Sequence, residues 1–194
     1  MIDPTAKIEI DVKFGKNVNI WRNSHVRSKA IIGDNVTIGE NVYIGTYVVI
    51  GDNCKIQNGA QIYEPAIIEN GVFIGPGVCL TNDKFPRAVN ENETIKTAND
   101  WSAAGVVVQR GASIGAGVIC IAPIKIGEWA MIGAGSVVTS NVSDFGLYVG
   151  NPARQIGWVN KEGYKLNKIG DKFYCKENGS TYQLIDSKII KDNS

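Results

Sequence analysis

The chain of 194 residues has one histidine, four scattered cysteines and no apolar run approaching the ~20 residues of a membrane-spanning helix. Each shortage removes a class of function. One His cannot build a metal centre on several imidazoles, and no C-x-x-C pair offers thiolates instead, so no metal is expected. The spacing of the cysteines predicts reduced thiols, with Cys54, Cys79, Cys120 and Cys175 none of them placed as a nucleophile. Lys+Arg 20 against Asp+Glu 19 gives a formal net charge of +1, and no basic stripe is visible, so nucleic acid is not an expected partner. Met1–Pro4 has neither the charged nor the apolar region of a signal peptide. A cytoplasmic protein without membrane insertion is expected.

What the sequence has is a beat of six. A bulky apolar residue falls at Ile2, Ile8, Phe14, Ile20, Val26, Ile32, Ile38, Ile44, Ile50, Ile56, Ile62, Ile68, Ile74 and Leu80. Two residues ahead of most of these stands a smaller apolar residue, such as Val36, Val42, Cys54, Ala60 or Val78. Residues i−2 and i share one face of a strand, because side chains alternate. The glycines and Asn-rich tetrads between them, Gly33-Asp34-Asn35 and Gly51-Asp52-Asn53, are corner chemistry, expected to supply positive φ and side-chain-to-backbone bonds. One short strand and one corner per six residues predicts an all-β parallel β-helix, three hexads to a triangular coil. A β-sandwich tolerates irregular spacing and does not call for fourteen units without a slip.

After Leu80 the beat stops and resumes at Val108, Ile114, Cys120, Ile126, Ile132 and Val138. Twenty-eight residues separate Leu80 from Val108 where six would continue the coil, so 22 are inserted. A polar protruding loop of this length, here 81–105 with aromatic and charged residues, is expected to be functional. A purely structural, non-catalytic solenoid would not need it. The predicted organisation is a β-helix domain over 1–143 with the loop inserted, then a C-terminal cap and extension over 144–194. The extension carries a hairpin between Lys172 and Leu184 around Asn178-Gly179. Val49, Tyr47, Tyr43 and Phe73 are read as an outward apolar surface of the kind that marks an interface.

The hexads, the single loop and the closing Val149-Gly150-Asn151-Pro152-Ala153-Arg154 resemble the hexapeptide-repeat acyltransferases. That resemblance implies a left-handed coil, a homotrimer and acetyl-CoA as co-substrate in clefts between subunits. General crossover rules favour right-handed connections, so the left hand comes from the resemblance alone. Cys54–Asn58, Ile62–Glu64, Gly71–Pro76, Thr81–Arg87 and Ala153–Trp158 are similar to the 3-N-acetyltransferases of nucleotide-linked 3-amino sugars, which serve lipopolysaccharide and surface-glycan biosynthesis. The Gln155-Ile156-Gly157-Trp158 end and the tail with Tyr174, Cys175 and Tyr182 resemble enzymes acting on UDP-2-acetamido-3-amino-2,3-dideoxyglucuronate. The Thr81–Pro86 run resembles those acting on dTDP-3-amino-3,6-dideoxyhexoses, the alternative; the UDP-linked glucuronate is the expected substrate because the tail covers more sequence.

The candidate chemistry needs little. A neutral sugar amine is a good nucleophile and a thioester has a good leaving group, so orientation and an oxyanion donor suffice. The resemblance implies that Asn82 positions the reacting groups and that the departing sulfur takes the proton. Asp83 and Glu64 are the carboxylates suited to holding the ammonium. Gln57, Asn58, Tyr63, Lys84, Arg87 and His25 are the candidate contacts to the nucleotide sugar. Gly105, Ala116, Gly133, Ala134 and Arg154 are the candidates for coenzyme A, small residues admitting the pantetheine arm and Arg154 a phosphate. His25 lies three coils, about 14 Å, from the loop base, too far for proton transfer. Gamma-type carbonic anhydrases share this coil but require three zinc-bound His, and two-domain sugar 4-N-acetyltransferases carry an added βαβ domain ahead of the repeat.

Overall fold

The computed structural model describes residues 1–185 and 188–192, and among these no helix occurs. Two-residue strands turn through three parallel sheets. The first face stacks Lys7–Ile8, His25–Val26, Tyr43–Ile44, Gln61–Ile62, Cys79–Leu80, Ile119–Cys120 and Val137–Val138. The second begins at Lys13–Phe14 and passes through Ile31–Ile32, Val49–Ile50 and Ile67–Ile68 to Val106–Val108 and Ile124–Ile126. The third runs from Asn19–Ile20 through Phe73–Ile74 and Met131–Ile132 to the cap. Partners in adjacent coils differ by 18, as in His25↔Tyr43 and Gln61↔Cys79, until Cys79 meets Ile119 across the insertion.

The core is the predicted double row. Ile20 through Leu80, and then Ile114 and Ile126, are fully buried with their smaller i−2 partners. Each isoleucine so buried contributes roughly 1.5–3 kcal/mol. Ile2 departs from the expectation: it is exposed and joined only by a bridge to Ile20, because no coil lies beneath it.

The corners have the expected positive φ and side-chain-to-backbone bonds, and the structure assigns which residue does which. Positive φ belongs to the third residue of each corner, Asn17, Asn23, Asn35, Asn41 and Asn53, where Asn tolerates the left-handed region. Gly33 and Gly51 have ordinary φ and are needed for closeness. A Cβ on Gly33 would collide with Asp52 Oδ1, and one on Gly51 with Asn70 Oδ1. Those oxygens accept the backbone N–H of the residue after the glycine: Asp34 N to Asp52 at 2.8 Å, Asp52 N to Asn70 at 2.9 Å. Asn35 and Asn53 add an amide ladder at 3.1 Å. Each corner thus spends its side chains on the coil below.

The outward residues expected to mark an interface are spread over different faces. Tyr43 lies on the first face, Val49 on the second, Phe73 on the third and Tyr47 at a corner, bonded by Lys29 at 3.0 Å. The contiguous outward strip is Ile31, Val49, Ile67 and Val107 on the second face, with Ile31 43% and Ile67 44% exposed.

Gly146–Gly150 pairs parallel with Met131–Ile132, extending the third face, and Ala153–Trp158 folds back antiparallel on it. The tail forms a four-stranded antiparallel sheet, in which Lys172–Tyr174 and Thr181–Ile185 are the expected hairpin arms. Leu166, Phe173, Cys175, Tyr182 and Ile189 give it a small core of its own, resting on Phe145 and Trp158. Lys161 Nζ sits 5.4 Å from the Trp129 ring and ties tail to coil.

Candidate active site

The loop leaves the first face after Cys79–Leu80 and re-enters at Val106 on the second, so it occupies the corner between those faces. Its base is clamped. Thr81 Oγ1 accepts Ala122 N–H at 3.1 Å, and Asn82 O accepts Ala104 N–H at 2.8 Å. Gly105 is pressed against Pro65, whose carbonyl lies 2.7 Å from where a Cβ would stand. Tight packing therefore explains Gly105 without a ligand.

Ile62 pairs with Leu80, and carrying that register forward two residues sets Glu64 in the coil directly below Asn82. Among the described residues the Asn82 side chain has no protein partner, while its backbone is fixed. Glu64 takes the place that Asp52, Asn58 and Asn70 hold at other corners, but with one more methylene. Its Oε2 is driven against Gly45 and is buried without a hydrogen bond. An unsatisfied buried oxygen costs free energy. Tyr63, next to it, has its ring centre 5.2 Å from that of Tyr43 with the planes tilted by 44°, and burial pushes its phenol pKa up.

Asp83 accepts Phe85 N–H at 2.8 Å, an Asx turn that opens the loop. It also lines a hollow of about 390 Å³ with Arg87, Lys96, Thr97 and Trp101. The loop is not irregular throughout, since Val89 bridges Ile95 in a short antiparallel pair. Lys84 is exposed, its ammonium 5.4 Å from the Phe85 ring centre. Lys96 and Trp101 were not singled out by sequence, because only the hairpin brings them back to Asp83.

The remaining candidates divide. Asn58 Oδ1 accepts Glu40 N–H at 3.0 Å, so it serves the corner ladder, and Gln57 precedes it on the corner between third and first faces. Ala116, Gly133 and Ala134 stack on that same corner, across the first face from Asn82. There a Cβ on Gly75 or Gly115 would lie 2.7 Å from Ala116 N or 2.6 Å from Ala134 N, so coil spacing demands glycine at 75 and 115 and leaves the small side chains of Ala116 and Ala134 unexplained by packing. Gly133 is covered by the cap, since its Cβ would stand 2.7 Å from Val149 Cγ1. Arg154 pairs with Val149 in the cap and is exposed beside Ala134's corner, its guanidinium donating to Ala153 O at 3.0 Å.

His25 is where the spacing placed it, three strands from the loop base on the first face. Sequence reasoning missed its company. Glu9 Oε1 lies 2.9 Å from His25 Nε2 and 2.7 Å from Arg27 Nε, and its Oε2 accepts Ser28 N–H at 3.0 Å. These neighbours hold the Glu9 carboxyl at about 2, below its ordinary 4.5. The signal was available in the register, because residues 18 apart stack, but Glu9 and His25 are 16 apart and only side-chain reach joins them.

Coils of six-residue turns around an isoleucine core, with a loop thrust from one corner, define the hexapeptide β-helix class. The family described as bacterial transferase hexapeptide (six repeats) matches residues 11–46 and 47–82, and the hexapeptide repeat of succinyl-transferase matches 29–64 and 105–140. Together they cover more than half of the chain, each alone less than half, so the chain is similar to hexapeptide-repeat transferases; its coil is a left-handed parallel β-helix. The dTDP-3-amino-3,6-dideoxy-alpha-D-galactopyranose 3-N-acetyltransferase of Aneurinibacillus thermoaerophilus is 45% identical over 80 residues, 41% of this chain and 41% of that protein. The serine acetyltransferase of Buchnera aphidicola is 34% identical over 99 residues, covering 50% of this chain and 35% of that one. These matches thus span less than half of either relative's length. Among solved structures, a variant of AntD, an N-acyltransferase from Bacillus cereus in complex with dTDP and coenzyme A, is 25% identical with a TM-score of 0.51, covering 83% of this chain and 82% of that one. A hexapeptide transferase family protein from Anaplasma phagocytophilum shares the fold at 19% identity and a TM-score of 0.54, over 84% and 80% of the two chains.

Proposed function

We propose that this protein transfers an acetyl group from acetyl-CoA to the 3-amino group of a nucleotide-linked amino sugar, as a homotrimer in the cytoplasm, for lipopolysaccharide or surface-glycan biosynthesis. The observation that carries the reading is the clamped loop base, where Asn82 presents an unengaged amide in the coil next to the unsatisfied Glu64. The likeness to the Aneurinibacillus sugar acetyltransferase and to the dTDP- and coenzyme A-bound AntD supports it.

In this mechanism Glu64 and Asp83 hold the incoming ammonium, which gives its first proton to bulk water, and Asn82 orients the neutral amine. The nitrogen lone pair attacks the thioester carbonyl, a backbone N–H stabilises the oxyanion, and collapse breaks the C–S bond. The departing thiolate takes the proton from nitrogen, leaving amide and free coenzyme A, so no histidine base is required. The proposed coenzyme A candidates, Ala116, Ala134 and Arg154, lie across the first face from Asn82, which fits a cleft completed by a neighbouring subunit.

The Aneurinibacillus relative, named for a dTDP-3-amino-3,6-dideoxyhexose, and the dTDP-bound AntD favour a substrate of that class. The second reading, UDP-2-acetamido-3-amino-2,3-dideoxyglucuronate, is favoured by Arg87 and Lys96 in the loop hollow, two cations suited to a sugar carboxylate. Thiol release from acetyl-CoA, measured with both amino sugars, tests both. The expected result is turnover with one of them, and no release with either would overturn the function.

A further inference from the structure

The first face carries, below the loop, an assembly that the acetyl-transfer chemistry does not use. His25, Tyr43, Gln61 and Cys79 stand in one outward column, in register, ending at the corner of Asn82. Beside it, Arg27 and Tyr63 occupy the first corner position of their coils, and Gly45 between them has no side chain. Arg27 is held by one hydrogen bond, Nη1 donating to Tyr43 Oη at 3.1 Å, and by an ion pair in which Nε lies 2.7 Å from Glu9 Oε1 without hydrogen-bond geometry. Glu9 is itself held by Ser28 N–H and faces His25. Tyr43 meets His25 edge-on at 5.9 Å and the Tyr63 ring at 5.2 Å.

We propose that this assembly is the nucleotide end of the substrate site, in which Arg27 grips a uracil or thymine base and Tyr43 and Tyr63 form its apolar platform. The inference rests on the amino-sugar reading above. A guanidinium has five N–H donors, and the two anchors leave the others for a ligand. Anchoring also removes most of the rotamer freedom that binding would otherwise cost. The Arg27 side chain remains 39% exposed while Glu9, at 23%, lies behind it. What faces solvent is therefore a fixed cation edge with aromatic rings beside it, matched to a flat ring bearing carbonyl acceptors. Distance agrees. Three strand spacings, about 14 Å, separate the Arg27 level from Asn82. That is comparable to the reach from a hexose C3 across a diphosphate to the pyrimidine. With the amine at Asn82, the diphosphate passes Tyr63 and the base comes to rest at Arg27 and His25.

The test measures binding of dTDP and of UDP by calorimetry, and KM and kcat for the amino sugar, in the wild type, Arg27→Ala and Glu9→Gln. Arg27→Ala is expected to weaken nucleotide binding at least tenfold and raise the amino-sugar KM to match. Its kcat should stay within about threefold and its acetyl-CoA KM should not move. Glu9→Gln keeps Arg27 but loosens it, and a smaller loss in the same direction is expected; it carries the test alone if Arg27→Ala does not fold. Unchanged nucleotide affinity in the folded variants overturns the inference, as does a fall in oligomeric mass with Arg27→Ala, which would make the assembly a subunit contact. Wild-type nucleotide binding lost in Arg27→Ala, without acetyl transfer to either sugar, would sink the proposed function and leave this site standing. Transfer that survives Arg27→Ala with unaltered KM would do the reverse.

Discussion

At the scale of single residues, Asn82 and Glu64 carry the chemical reading, and both stand out through what they fail to bond. Replacing Asn82 by Ala is expected to lower turnover ten- to a hundredfold, the scale of about 1.5–3 kcal/mol for a lost hydrogen bond to a charged or reacting group. Nucleotide affinity should change little, because the base lies three coils away. Steady-state turnover together with calorimetric nucleotide binding checks this, and an Asn82→Ala protein with full activity would move the reacting centre to Glu64 and Asp83. Glu9 gives a pH prediction. Its folded pKa of about 2 lies below the ordinary 4.5, so the stabilisation it confers is present above pH 4.5 and is lost as pH falls toward 2. Melting temperatures of wild type and Glu9→Gln should therefore differ at neutral pH and converge across that window. The thiols follow burial: Cys120 is pushed up to about 12, and Cys79 is raised for the same reason.

The corner is the element on which the solenoid depends, and it uses glycine in two distinct ways. At Gly33 the backbone φ is ordinary and the obstacle is Asp52 of the next coil; at Gly77 nothing lies within 4 Å and the obstacle is φ +65°. Gly77→Ala should cost about 1 kcal/mol, the penalty of a left-handed residue with Cβ. Gly33→Ala should cost more, about 2–3 kcal/mol, because the collision also breaks the bond from Asp34 N–H to Asp52. Chemical denaturation of the two variants separates these explanations, and equal losses would contradict the clash account. The hexad spacing announced the strands and their inward residues. It did not announce which corner residue takes positive φ, since Gly, Asp and Asn all suit a corner and only the contact between coils assigns them.

For the whole molecule, the second face bears the contiguous apolar strip from Ile31 to Val107, and the proposed trimer is expected to bury it. Ile67→Asp would place a carboxylate in that strip and should shift the mass in light scattering from three subunits toward one, with loss of turnover if the cleft is shared between subunits. A wild-type protein of single-chain mass at micromolar concentration would remove the trimer and the shared cleft together.

The coil, its 22-residue interruption and the distance of His25 from the loop were determined by the sequence, because a strict six-residue period converts position along the chain into face and height. Tertiary structure decided what that period cannot encode. Glu9 and His25, 16 residues apart, meet by reaching between coils, whereas Glu9 and Arg27, 18 apart, follow the stack. The loop hairpin returns Lys96 and Trp101 to Asp83, and the extra methylene of Glu64 leaves an oxygen buried that Asp or Asn would have satisfied. Each depends on side-chain length and direction at a point where the repeat is broken or overreached, and periodicity carries no information about either.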